Sequence, residues 1–119
     1  MANQRLTRIN EEIRRELSEI IRTEIKDPRV NDTMISVVHV DTTNDLKTSK
    51  VYISILEENK KVEAMAGLNA AQGYIRKEIA RRVNLRNTPE FIFKLDESIE
   101  YGLRMSKIIS DVMKDRDHE

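Results

Sequence analysis

Apolar residues recur at helical spacing from the start of the chain. Leu6, Ile9, Ile13, Leu17, Ile20, Ile21 and Ile25 fall on one face. Arg8, Arg15 and Arg22 fall on the other, interleaved with Glu11, Glu12 and Glu19. The pattern predicts a helix over 4–26. Asp27-Pro28 ends it, because the residue before proline is pushed out of helical geometry. Period two takes over next. Residues 34–42 and 50–56 read as strands, with Val51, Ile53 and Ile55 alternating with Tyr52 and Ser54. That alternation predicts a sheet with one buried face. The polar link between them carries Asn44-Asp45, which favours a hairpin turn.

Residues 62–86 return to helical spacing, with a change of phase. At ~100° per residue, Val62, Met65 and Ala66 share one face. Leu68, Ala71, Ile75, Ile79 and Val83 share another, rotated by roughly a third of a turn. One straight helix cannot bury both faces against one partner. A kink near Ala70–Gly73 is therefore expected, helped by the glycine. Away from the later stripe lie Ala70, Gly73, Lys77 and Arg81. This is bare backbone followed by two cations, a surface that a phosphodiester chain can approach closely.

Asn87-Thr88-Pro89 marks a break. Residues 90–95 predict a third strand, with Phe91, Phe93 and Leu95 inward and Lys94 outward; Ile92 interrupts the alternation. Ile99, Leu103, Ile108, Ile109 and Val112 predict a C-terminal helix, to which Gly102 lends little propensity. The order is helix, strand, strand, helix–kink–helix, strand, helix. Three strands with one apolar face need helices on that face, so the fold class is α+β in two layers, with a three-stranded sheet packed on helices. Residues 1–113 form the single expected domain, and 114–119 a flexible tail.

Charge narrows the chemistry. Among 119 residues, Lys and Arg total 21, Asp and Glu total 21, and formal net charge is +0. No global field draws the chain to nucleic acid, so binding must come from a local patch. The densest cationic run is Arg76, Lys77, Arg81, Arg82 and Arg86, with Glu78 inside it. Arg82 falls at the edge of the apolar stripe, where it can snorkel over the core. Lys47 and Lys50 extend the basic surface from the hairpin, with Tyr52 outward. Aromatics are 4% of the chain, and a single outward ring makes a poor stacking platform. Phosphate position and shape are the expected readout. The bland alternative is a solvated helix face. For the first helix that alternative wins, because its arginines alternate with glutamates.

Other chemistries find little support. There is no cysteine, which removes thiolate and disulfide chemistry and fits a reducing compartment. His39 and His118 are far apart, and no metal-ligand spacing occurs. Asp96, Glu97 and Glu100 cluster where the last helix starts, where acids favour the helix dipole. No nucleophile or phosphate loop accompanies them. No catalytic residue, metal or cofactor is expected. The N-terminal residues lack a signal-peptide core and no apolar run spans a bilayer, so a soluble intracellular protein is expected.

Four segments in order then carry a resemblance. EIKDPRV at 24–30, DLKTSKVYISIL at 45–56, GLNAAQGYIRKEIARRVNLRNTPE at 67–90 and LDESIEYGLRM at 95–105 resemble the ribosome-binding factor A family, whose element order is similar to a type II KH domain. The resemblance runs from about Arg5 to Met105. It implies a non-catalytic bacterial assembly factor without a cofactor, acting in the cytoplasm. Its partners would be 16S rRNA and the free small (30S) ribosomal subunit or its precursor. It would assist late maturation, including processing at the 5′ end of the rRNA, and matter most in the cold. Ordinary KH domains clamp the nucleic-acid backbone with a Gly-x-x-Gly loop, which this chain lacks. The family has an Ala-x-Gly kink instead, here Ala71-Gln72-Gly73, so RNA contact is expected from the flanking helix. Balanced charge and one core fit a monomer. The rival readings are a protein-interaction module built on the first and last helices, and a small enzyme.

Overall fold

The computed structural model describes residues 4–117. His118, and Glu119 at the end of the expected tail, lie outside the described residues. The elements are α1 (Gln4–Thr23), α2 (Pro28–Asn31), β1 (Ile35–Thr42), β2 (Thr48–Ile55), a 3-10 turn (Glu58–Lys60), α3 (Lys61–Ala70), α4 (Gln72–Arg82), β3 (Glu90–Leu95) and α5 (Ser98–Asp117). α5 runs past Met113, where the sequence loses its apolar residues.

α1 buries Ile9, Ile13, Leu17, Ile20 and Ile21, the expected stripe. It stops before the proline. Glu24 and Ile25 both donate their backbone N–H to Ile20 O, at 2.9 and 3.2 Å, which tightens the last turn. Asp27-Pro28 does more than end α1. The Asp27 carboxylate accepts from Arg29 N at 2.9 Å, and Pro28 takes the first helical position. A cap followed by proline is a start signal for the short α2.

β1 and β2 pair antiparallel, and β2 and β3 pair parallel, in the order β1-β2-β3. A parallel pair needs a crossover, which α3 and α4 supply. One sheet face presents Val37, Val40, Val51, Ile53, Ile55, Phe91 and Phe93, all buried. Against it pack Ile13, Leu17 and Ile20 of α1, with Ala64, Leu68, Ile75 and Ile79 of α3 and α4. At the hairpin end of this face, Thr42 and Ser49 are cross-strand partners, and their hydroxyls pair at 2.7 Å. Each thereby satisfies a buried polar group. The hairpin turn puts Leu46 at φ 59°, a conformation uncommon for a residue with a Cβ.

Three expectations need correction. Val62 is 83% exposed, and α3 instead buries Lys61, Ala64, Gly67 and Leu68. Ala64, Leu68, Ala71, Ile75 and Ile79 form one continuous stripe, so the apolar face keeps its phase across the break. Of the earlier face, Met65 alone reaches the core, and only in part. The helix also ends at Arg82 rather than Arg86, because Val83 turns to extended geometry (φ −116°, ψ 123°). Leu95 has the inward parity but is 40% exposed; it ends the edge strand, where no helix covers it. α5 is exposed at every described position from Ser98 to Met113. Buried Lys61 anchors the approach to α5, with Nζ 3.1 Å from Glu97 and 2.8 Å from Glu58.

Candidate nucleic-acid interface

The helix pair breaks at Ala71 (φ −85°, ψ 4°). Ala71 N donates to both Gly67 O and Leu68 O at 3.1 Å, and the regular ladder resumes with Ile75 N to Ala71 O at 2.9 Å. Gln72 fixes the break against the sheet. Its side-chain amide donates to Phe91 O at 2.6 Å and accepts from Phe91 N at 3.0 Å. The amide thus takes the place of a neighbouring strand on the free edge of β3. Gly73 imposes no steric demand: a Cβ there meets nothing within 4 Å. The glycine that matters is Gly67, where a Cβ would lie 2.7 Å from Val30 Cγ2. It lets α3 lie close against α2.

The expected cations separate into groups with different surroundings. Lys77 and Arg81 project from the outer face of α4 beside Ala70 and Gly73, all four exposed. Arg81 makes a two-pronged pair with Glu78, Nε to Oε2 and Nη2 to Oε1, both 3.0 Å, yet its side chain stays 68% exposed. The Arg81 guanidinium, then a hydrogen bond with Glu24 and the charge of Arg82, outweigh burial and hold the Glu78 carboxyl down at about 2.

Arg82 is committed to the protein. Its guanidinium pairs with Glu16 at 3.1 Å, with Glu24, and with Glu78 at 3.5 Å. Burial opposes its charge, but the three carboxylates outweigh that and raise its pKa. Tyr74 OH donates to Glu24 at 2.9 Å and joins the same cluster. Arg82 therefore acts as a bolt between α4 and α1. Arg76 is likewise used internally, donating to Pro89 O at 3.2 Å and Thr88 O at 3.1 Å, although its side chain remains at the surface.

Lys47 and Arg86 both belong to the hairpin end, on segments joined there by hydrogen bonds. Lys47 O accepts from Glu90 N at 2.9 Å, and Asn87 Nδ2 donates to Leu46 O at 3.2 Å. A cleft of about 150 Å³ there is lined by Arg5, Asn44, Asp45, Leu46, Arg86 and Asn87, among others. Arg5 joins this end of the domain because α1 starts beside the hairpin. Lys50 stands apart, on the sheet face opposite the helices, across from Asp41. On α1, Arg14 pairs with Glu11 at 2.6 Å and Arg22 with Glu19 at 2.5 Å, as expected of a solvated helix face.

Two residues of the acidic cluster at the start of α5 are held by the protein. Asp96 accepts from Ser98 N at 2.8 Å and Glu97 binds Lys61; the side chain of Glu100 lies outside the described set. Among the described residues no group of His, Cys, Asp and Glu is placed to hold a metal ion. No helix among them is long and apolar enough to cross a membrane.

The sequence model of ribosome-binding factor A matches residues 5–109. The chain belongs to the ribosome-binding factor A family. The ribosome-binding factor A of Lachnospira eligens is 59% identical over 107 residues, covering 89% of this chain and 82% of that protein. The crystal structure of ribosome-binding factor A from Thermus thermophilus superposes with TM-score 0.69 at 25% identity, over 78% of this chain and 97% of that one. A Thermus thermophilus ribosome-binding factor A model, fitted into a cryo-EM map of a 30S complex, matches with TM-score 0.59 at 26% identity, over 74% and 91%. The family match contains all the candidate cations and the break at Ala71, and ends within α5.

Proposed function

We propose that this chain is a non-catalytic assembly factor that binds the free small ribosomal subunit, or its precursor, through 16S rRNA. It acts as a cytoplasmic monomer without a cofactor and assists late maturation, including processing at the 5′ end and growth in the cold. The observation that carries the reading is the outer face of α4, where Lys77 and Arg81 stand exposed beside the small residues Ala70 and Gly73. Backbone bare of side chains admits a phosphate chain, and the cations meet it. A relative fitted as part of a 30S complex supports the small subunit as the partner. Lys47, Arg86 and Arg76 extend the same readout around the hairpin end, while Ala71, Gln72 and Gly73 set the angle between the helices.

The test is sedimentation of purified 30S subunits with the wild type and the Lys77→Glu, Arg81→Glu double variant. The variant keeps its circular dichroism spectrum and loses co-sedimentation; unchanged binding would remove α4 from the interface. A second reading, a protein-interaction module, draws on the exposed apolar side chains of α5, including Tyr101, Leu103 and Ile109. Salt separates the two, since a phosphate interface weakens steeply with ionic strength and an apolar one does not.

A further inference from the structure

The helices cover one face of the sheet and leave the other open. On the open face the register sets His39, Tyr52 and Lys94 in one row across β1, β2 and β3, and Asp41, Lys50 and Ile92 in the next. The His39 and Tyr52 rings lie 5.8 Å apart between centroids and 33° from parallel. Tyr52 is thus not the single aromatic that the sequence suggests. The cause is a bulge between Val37 and His39. Without it Val38 would stand opposite Tyr52, His39 would face the core and Val40 would face solvent. The extra residue re-aims a ring outward beside Tyr52 and keeps Val40 buried.

Charge on this face is mixed, with its two lysines beside the rings. Lys50 and Lys94 lie diagonally on adjacent strands, within the ~8 Å reach of such neighbours, and neither has an ion-pair partner among the described residues. Three carboxylates stand near them: Asp41 across from Lys50 and Glu90 diagonal to it on the other side, and Asp96, already engaged as an acceptor for Ser98 N. Exposed Ile92 adds an apolar floor. Adjacent rings on an open sheet, flanked by lysines, suit an unpaired nucleobase with its phosphates.

We propose that the open sheet face, built on His39 and Tyr52 with Lys50 and Lys94, is a second RNA site that stacks an unpaired base. It rests on the RNA-binding reading above, but uses a surface separate from Lys77 and Arg81. The chain holds two histidines, so the His39 ring proton is a clean NMR reporter. The probes are a short oligoadenylate and tripolyphosphate, titrated into the full chain. The oligonucleotide should shift the His39 ring signal through the base's ring current, and tripolyphosphate should not. Tyr52→Ala should weaken oligonucleotide binding about tenfold, the order of one base stack, while Tyr52→Phe keeps it. The Lys77→Glu, Arg81→Glu variant should still show the His39 shift. No shift at saturation, or an equal shift with tripolyphosphate, overturns the platform. If 30S binding still depends on Lys77 and Arg81 in that case, the platform alone falls; if neither RNA nor 30S binds, the assembly-factor reading falls with it.

Discussion

Arg82 near the end of α4 and Glu24 just past the end of α1 form an ion pair across 58 residues of sequence. Glu16 completes the link from the middle of α1. An arginine shared by carboxylates of another helix is hard to remove, because its loss leaves those carboxylates facing one another. Arg82→Ala should lower Tm by several degrees and leave the salt slope of 30S binding unchanged. Lys77→Ala should do the reverse, reducing that log–log slope by about 1 with little change in Tm. Thermal melts beside binding at several salt concentrations check both.

The two glycines of the helix pair should behave oppositely. Gly67→Ala places a methyl 2.7 Å from Val30 Cγ2 and 3.2 Å from Arg29 Cβ, and overpacking of this kind costs ~1–3 kcal/mol. Gly73→Ala meets open space and should be neutral or stabilise the helix by ~0.5–1 kcal/mol. Urea denaturation of the pair measures the contrast.

Glu78 gives the fold an acid-sensitive contact. Its folded pKa, about 2 against an ordinary 4.5, lies below the unfolded one. The stabilisation is therefore fully present above about 4.5 and is lost as pH falls through about 2. The urea midpoint of the wild type should exceed that of Glu78→Gln by a constant margin near neutrality. The margin should shrink steadily below the upper value.

Gln72→Ala removes both hydrogen bonds to the Phe91 peptide and leaves that edge of β3 without a partner. The expected cost is ~1–2 kcal/mol. The local sign is more specific: amide exchange at Phe91 should quicken, while exchange in the β1–β2 hairpin keeps its rate.

The strongly periodic parts of this molecule are legible in the sequence. The α1 stripe, the β2 alternation and the Phe91–Phe93 pair each land where their spacing puts them. The break at Ala71 falls in the expected window for a reason that spacing does not reveal. The apolar stripe runs through it without changing phase, and Gln72 and the close approach at Gly67 hold it. Cation roles are least legible. Arg81 and Arg82 are sequence neighbours, yet one points outward and the other lies among three carboxylates. Helical angle near a stripe edge cannot separate them without the position of α1. The outward turn of His39 was hidden because one inserted residue reverses the parity of everything after it. The Asp27-Pro28 pair did carry a visible signal for α2, since the same residues that stop one helix start another.

The parallel pairing of β2 with β3 has a consequence for biogenesis. The antiparallel hairpin and α1 can associate early, through contacts close in sequence. Phe91 and Phe93 reach their places only after the α3–α4 crossover has formed, and until then the inner edge of β2 and the apolar face under it have no cover. In a chain emerging N-terminus first, the sheet stays one strand short until Phe93 is free to dock. A member of the ribosome-binding factor A family thus depends, for its own core, on how far the ribosome making it has already let it go.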